Sequence, residues 1–484
     1  MIGQKIKDVF SDMAVLKSPQ HSEEFSRLSL PSYMRDWLLM KFSDFDGVPN
    51  FDSIYAYIKT YIPNRDEFEQ FKYRLVSGES VRFLARIRVS VDVASGKTLF
   101  ELPDFGGKKN GACGTIASEV VAEWTNALLG DYENWGVVEL SRAVDESGKN
   151  RSKGEIRMTD YSPFCPYVVD LETYCENRRE FTTEEWIDAL LLSIDYNPSG
   201  YASTRQKLYV LQRLLPFVEP RVNLMELAPQ GTGKSYVYQK ISKRGWLVGG
   251  SGTISRAALL YDNKENRGGL ITLFDFVAFD EIQSLKFKDP DDIQTALKHY
   301  MEYGSVDGFG SKTIATAGIV VLGNVAAEQF DVNVNMVKNI NPMFRHPEVL
   351  DRIHGIIPGW EIPRLRTDLI ANDWGLNVEY FGEILHLLRD ENHYSAILNE
   401  ALIIPESSDG RDTTAIKRLC SGLLKLLFPH ARSKDDIDPC EFVEYCLNPA
   451  LEMRKAVKNQ MRILKPGEFD TSANRDVPKI EYRY

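Results

Sequence analysis

Eight residues, Ala228-Pro229-Gln230-Gly231-Thr232-Gly233-Lys234-Ser235, constrain this chain more than any other stretch. They follow the apolar run Leu224-Met225-Glu226-Leu227 and open a helix-compatible segment, Tyr236 to Ser242. Strand, glycine loop and helix in that order make a phosphate cradle. The glycines let backbone N–H groups wrap phosphates, a lysine reaches the terminal ones, and a serine hydroxyl ligates Mg²⁺. The pattern predicts an α/β core with Pro229 to Tyr236 at a nucleotide and Ser235 at its metal. Ala228 stands where the strict pattern has glycine, and the tight wrapping falls to Gly231 and Gly233.

Two later segments complete such a site. Phe276-Val277-Ala278-Phe279 reads as a buried strand that delivers Asp280-Glu281 at its carboxyl end. Asp280 is the expected Mg²⁺ partner, through water, and Glu281 the group that polarises an attacking water. Ile319-Val320-Val321-Leu322 reads as a second buried strand, followed by Gly323-Asn324. Asn324 there can orient the water from the γ-phosphate side. Taken singly, these are also an acidic helix cap and a turn asparagine. In this order behind a phosphate loop they predict an ATPase that uses ATP and Mg²⁺.

The segment Pro347 to Trp360 places one cation, Arg352, in an otherwise apolar stretch. It resembles the short Leu-(Asp/Ser)-Arg-aromatic pattern of ring-shaped AAA+ proteins, the Lon and MCM branches especially, although Ile353 stands where an aromatic or Met is usual. That resemblance implies an arginine finger, which stabilises charge at a neighbouring subunit's γ-phosphate, and hence a ring. The other reading pairs Arg352 with Asp351 or Glu348.

The runs Glu226 to Tyr238, Asp275 to Glu281, Ile356 to Pro363 and Phe181 to Asp188 resemble the BrxL family, Lon-related ATPases of bacterial BREX antiphage systems. The similarity runs from about residue 20 to about 465 and is most specific between 180 and 430. It implies an MCM-like ring, hexamer- or heptamer-like, that binds double-stranded DNA in the bacterial cytoplasm, with other BREX components as further partners. Longer members continue into a Lon-type protease-like domain. No segment after Phe469 suits a Ser/Lys dyad, so proteolysis by this chain is not expected.

Composition narrows the rest. No apolar run approaches the roughly 20 residues needed to cross a bilayer, and the start, Met1-Ile2-Gly3-Gln4-Lys5, lacks the apolar region of a secretory signal. Cys113, Cys165, Cys175, Cys420, Cys440 and Cys446 show no C-x-x-C spacing, which argues against zinc and disulfide frameworks and for thiols in a reducing cytoplasm. With 58 basic and 69 acidic residues the net charge is −11. DNA would therefore have to meet a local basic lining.

The patterning divides the chain into a helical segment over 1–75, a β domain over 76–180, a helical connector over 181–220, the ATPase core over 221–375, a helical lid and bundle over 376–464 and a tail over 465–484, disordered or an arm. Around Val81 the period is two, with Val81, Phe83, Ala85, Ile87 and Val89 on one face and Arg82, Arg86 and Arg88 on the other. Further short strands and one helix from about Ile116 to Leu129 predict a small barrel of oligonucleotide-binding type. The three arginines, Lys108-Lys109 and the hairpin tip Lys149, Arg151 and Lys153 form a candidate phosphate-tracking surface, against the alternative of a solvated sheet face. The connector is read as core without chemistry of its own. A helix from Ile293 to Tyr303 precedes a glycine-rich hairpin whose Phe309 and Lys312 are candidates for a pore loop, or an ordinary loop. Among Arg411, Lys417 and Arg418, Arg418 is chosen as the lid cation facing the nucleotide. A Lon-related protein unfoldase and an ATP-gated DNA clamp remain the other functional readings.

Overall fold

The alternating run around Val81 forms a twelve-residue strand, β1 (Val81–Asp92), that bends to serve two neighbours. Its first half pairs antiparallel with β4 (Asn134–Val144) and its second half with β2 (Lys97–Glu101). β3 (Cys113–Ile116) lies antiparallel to β2 and parallel to β5 (Gly154–Pro163), and β5 returns to β4. The result, in the computed structural model, is a closed barrel in the order β1–β2–β3–β5–β4. Phe83, Ile87, Phe100, Val138, Leu140 and Met158 fill it, as the period of two requires. Two short helices, Ser118–Glu123 and Thr125–Leu129, occupy the β3–β4 connection in place of the single helix expected, because Trp124 leaves helical geometry between them.

The structure describes residues 2–27, 32–62, 67–130, 133–144, 154–163, 169–250, 252–263, 267–308, 311–326, 331, 333–471 and 476–484. Two units emerge, Lys41–Val168 with the barrel and Met1–Met40 with Val169–Tyr484. The expected helical segment over 1–75 is therefore divided. Its first helix, α1 (Ile2–Phe10), buries Phe10 against Tyr174, Phe181 and Trp186, so apolar burial ties it to the larger unit. The strand Ala14–Leu16 adds backbone pairing with Trp374–Leu376.

In the larger unit, α2 (Thr183–Ser193) starts at a capping box, Thr182 with Glu185, and α3 (Thr204–Leu211) follows the Pro198–Gly200 turn. The strands β6 (Leu224–Ala228), β7 (Gly245–Val248), β8 (Phe276–Phe279), β11 (Gly318–Asn324) and β12 (Gly355–Pro358) form one parallel sheet in the order β12–β6–β11–β8–β7. β9 (Ser305–Gly308) and β10 (Ser311–Ile314) are a separate hairpin. Alternate residues of the sheet feed two cores. Leu224, Phe276, Val320 and Leu322 pack with Trp186 and Leu214, while Met225, Val277, Ile319 and Val321 pack with Ile293 and Leu297. Burial on both faces is what continuous apolar strands in a parallel sheet signify.

α4 (Lys234–Lys240) follows β6 directly. α5 (Pro290–Tyr303) ends at Gly304, whose φ of 71° supplies the left-handed cap. After the sheet come helices at Val378–Asp390 and His393–Ala401, then α6 (Gly410–Leu427) and α7 (Asn448–Leu464). Of the two expectations for the tail, its last residues fit the arm. Ile480 and Tyr482 are buried, and Glu481–Tyr482 pairs with Leu402–Ile403, so its end is fixed by a strand pair and apolar contact. None of the described helices is long and apolar enough to cross a membrane.

Candidate nucleotide site

β6 delivers the loop Pro229–Gly233 at its carboxyl end, and α4 begins one residue later with Gly233 as cap. Gly231 and Gly233 have φ of 83° and 75°, left-handed values that fold the loop back over itself. A side chain at Gly231 would meet no atom within 4 Å, so the loop opens there on free space. Thr232 Oγ1 is buried with no hydrogen-bond partner. An open cradle with an unanswered buried hydroxyl fits a polyphosphate. Gln230 is exposed at the loop tip, and Leu365 N–H closes the loop from the other side by donating to Gly231 O at 2.8 Å.

Lys234 Nζ donates to Asn324 Oδ1 at 2.7 Å and to Pro229 O at 3.4 Å. Burial lowers its pKa from the usual lysine value, and the charges of Glu226 and Asp280 oppose that shift. Asn324 reaches this position because β11 pairs with β6 in a register that sets Asn324 opposite Ala228. Asp280 follows β8, the next strand beyond β11, and its Oδ1 accepts the Glu281 N–H at 2.9 Å. Glu281 has φ of 47°, a strained conformation for a residue with a side chain and one that collects at working sites. A Cβ on Gly250 would stand 2.8 Å from Glu281 Oε2, so the glycine leaves room for that carboxylate. The phosphate loop, Lys234, Asp280, Glu281 and Asn324 thus share the carboxyl end of the sheet. Ser235 and Asp280 offer the hard oxygen donors that Mg²⁺ takes alongside phosphate and water. Among the described residues no group of three or more His, Cys, Asp or Glu gathers to hold an ion.

Two expectations change. Tyr236 keeps its place directly after Ser235 at the start of α4, with its hydroxyl given to Asp195. Arg418 lies at the opposite end of the sheet, donating to Arg221 O and approaching His354 Nε2 at 3.2 Å. His354 is bonded in turn to Asn223, just ahead of β6. Five residues of strand separate that end from the phosphate loop, about 15 Å, so Arg418 does not serve its own nucleotide. Helical periodicity alone does not say which end of a sheet a residue meets. The connector also carries more than packing. Arg213 donates to both oxygens of Glu226 and to Thr232 O, and the Tyr196 hydroxyl donates to Gly233 O. These contacts went unread, yet Arg213 and Glu226 each interrupt an apolar run, and that was their signal.

Arg352 sits on the turn before β12, at the same amino end as Arg418. Its Nη1 donates to Glu348 O at 2.6 Å, and its Nε stands 3.0 Å from Glu302 Oε2 without the alignment of a hydrogen bond, a charge contact only. Arg411 bridges Glu302 and Asp351 beside it. Arg221, Glu302, Arg352, His354, Arg411 and Arg418 line a cavity of about 500 Å³. Burial, then the nearby Arg221, pulls Arg418 down to about 10. Among the described residues no carboxylate lies within ion-pair distance of it.

The sequence matches the family model described as Lon-like protease BrxL-like, ATPase domain, over residues 156–475, about two thirds of its length. The chain belongs to the BrxL family. A second BrxL model, described as BREX system Lon protease-like protein BrxL N-terminal, matches residues 8–142. "Lon-like protease BrxL" of Bacillus cereus (strain H3081.97) is 31% identical over 453 residues, covering 91% of this chain and 64% of that protein. "Lon-like protease BrxL" of Escherichia coli O9:H4 (strain HS) is 30% identical over 451 residues, covering 91% and 62%. The chain thus spans less than two thirds of the length of these relatives. BrxL membership accounts for the P-loop α/β sheet, of the AAA+ kind, and makes its span a Lon-like ATPase domain of the BREX type.

The BrxL N-terminal match takes in the barrel's arginine face. Those arginines are paired. Arg82 faces Asp160 at 3.2 Å, Arg86 reaches Asp104 and Glu133, and Arg88 shares Glu133. The period-two reading placed them on one face without showing that acids from other strands and loops neutralise them. Lys108 and Lys109 stand exposed on the Gly107–Asn110 turn, and Lys312 is exposed on β10. Lys149, Arg151, Lys153 and Phe309 lie outside the described residues.

Proposed function

We propose that the chain hydrolyses ATP in a ring of identical copies and uses the cycle to hold, and move along, double-stranded DNA in BREX-type defence. The observation that carries the reading is the split between the two ends of one sheet. The carboxyl end gathers the phosphate loop, Lys234, Asp280, Glu281 and Asn324, while Arg352 stands at the amino end on a cavity lined by four arginines together with Glu302, Asp351 and Asp409. An arginine there cannot reach its own nucleotide but is available to that of a neighbouring copy. Lys234 would bind the terminal phosphates, Glu281 would orient the attacking water, and Asn324 would hold the γ-phosphate side. Ser235 and Asp280 would hold Mg²⁺, which supplies charge neutralisation at the phosphates.

The DNA half of the reading rests on the barrel. A closed five-stranded barrel in this order, with helix between β3 and β4, is the plan of oligonucleotide-binding folds. Exposed Lys108 and Lys109 give it positive charge beyond the neutralised arginines. The helices after the sheet, through α7, would act as the lid. Steady-state ATP hydrolysis with and without long double-stranded DNA, at two salt concentrations and with Lys234→Ala as blank, tests this. Stimulation by DNA that weakens with salt supports it. Equal rates with and without DNA, with stimulation by an unfolded protein, would overturn it in favour of an unfoldase.

A further inference from the structure

Two side chains from the connector bind the phosphate loop on the side away from its open cradle. Arg213 is fully buried, with Nε and Nη2 on the two oxygens of Glu226 at 3.0 and 2.6 Å, and Nη2 also donates to Thr232 O at 3.2 Å. Burial would lower the Arg213 pKa, but the Glu226 charge outweighs it and holds the guanidinium protonated. Tyr196, also buried, donates its hydroxyl to Gly233 O at 3.1 Å. Thr232 O and Gly233 O are the carbonyls of the peptides whose nitrogens belong to Gly233 and Lys234. A trans peptide points its C=O and N–H in opposite directions, and none of the described peptide bonds is cis. Binding these two carbonyls from beneath therefore turns the N–H groups of Gly233 and Lys234 to the opposite side. A Cβ on Gly233 would stand 2.4 Å from the Tyr196 hydroxyl, so the close approach itself demands glycine there.

We propose that Arg213 and Tyr196 are positioning residues that preset the phosphate loop by anchoring the Thr232 and Gly233 carbonyls, so that adjacent N–H groups meet the nucleotide phosphates without reorganising. This deepens the ATPase reading and rests on it. The anchoring is reinforced beside Tyr196. Asp195, with φ of 70°, accepts from Tyr236 at the start of α4 and from Arg35, and pairs with Lys17 at 3.0 Å. The dipeptide Asp195-Tyr196 is thereby fixed to both the loop and the helix that follows it. Phosphate N–H contacts exist in ground and transition states alike, so losing their alignment raises KM more than it lowers kcat.

Tyr196→Phe removes one hydroxyl and leaves the ring in place. The expected result is a KM for ATP, and a Kd for Mg²⁺·ADP, raised about fivefold, the worth of one hydrogen bond, with kcat changed less than twofold and little change in the melting temperature of the nucleotide-free protein. Arg213→Lys keeps a cation beside Glu226 but loses the fork that reaches Thr232 O. It should raise KM as well, while Arg213→Gln, which leaves Glu226 without a charge partner, lowers the melting temperature. Unchanged KM and Kd in both Tyr196→Phe and Arg213→Lys, each folded, would overturn the proposal. So would a fall in melting temperature as their only effect. If the unaltered protein neither binds nor hydrolyses ATP above the Lys234→Ala blank, the ATPase reading itself fails, an outcome distinct from the other two.

Discussion

The two ends of the central sheet differ in how far they are finished within one chain. At the carboxyl end most charged groups have partners within the chain, and the buried Thr232 hydroxyl in the open cradle does not. Lys234 is bonded to Asn324, Asp280 caps the Glu281 N–H, and Arg213 and Tyr196 brace the loop. At the amino end the half-buried Arg418 stands beside Arg221, donating to its carbonyl with no acid within ion-pair distance among the described residues, and Arg352 touches Glu302 without a hydrogen bond. A cation drawn partly out of water with no acid beside it favours an anion from outside. On the proposed function a neighbouring copy's nucleotide would supply one. The difference is what the proposed split site would look like in one copy, with the phosphate loop and carboxylates at one end and arginines at the other.

The largest expected effect breaks the amino end. Arg352→Ala should lower kcat by about 10³ while ATP binding, read by a fluorescent analogue, stays within twofold. Loss of binding would mean that Arg352 serves its own site. Glu281→Gln at the carboxyl end should lower kcat by about 10² and leave ATP binding and assembly intact, with continued DNA loading marking a clamp and stalling marking a motor. Arg418→Gln should lower kcat about tenfold without raising KM, the pattern of a group whose contact is made in the transition state. A raised KM with unchanged kcat would place Arg418 at ordinary nucleotide binding.

Between the two units the comparison is one of charge. Lys108→Ala with Lys109→Ala should reduce the slope of log DNA affinity against log salt by about two. Arg86→Ala should instead lower the barrel's stability, since it strands Asp104 and leaves Glu133 to Arg88 alone, and leave the slope unchanged. The smallest effect concerns pH. All seven histidines lie in the larger unit. Burial, then Arg178, pulls His430 down to about 4, and burial with Arg418 holds His354 well below its usual value. A depressed histidine adds stability that is full above pH 6.5 and is lost as pH falls toward 4. After discounting for solvent screening, roughly 1 kcal/mol from His430 corresponds to a shift of about 1–2 °C in a unit of this size. Melting curves from pH 7 to 4.5 should show it, and His430→Gln should flatten it.

Local patterns were legible from the residues alone. The phosphate loop, the carboxylates after β8, Asn324 after β11 and the alternation in β1 depend on neighbours in sequence, and each lies where its pattern placed it. What stayed hidden depends on partners far along the chain. Arg213 meets Glu226 and Thr232 through the packing of the connector on β6, and the barrel arginines meet Glu133 and Asp104 across other strands and loops. Arg418 was misplaced because a helix offers several cations and its pattern carries no information about which end of the sheet it crosses. The first forty residues were assigned by helical character alone, whereas the aromatic contacts of Phe10 decide where they belong.

Co-assembly of Lys234→Ala chains with Arg352→Ala chains tests the split site most directly. Neither variant alone should hydrolyse ATP appreciably. In a one-to-one mixture formed by co-expression, about a quarter of the interfaces carry an intact phosphate loop facing an intact arginine, and hydrolysis should return in about that proportion. A mixture no more active than the two variants measured apart would contradict a site shared between copies.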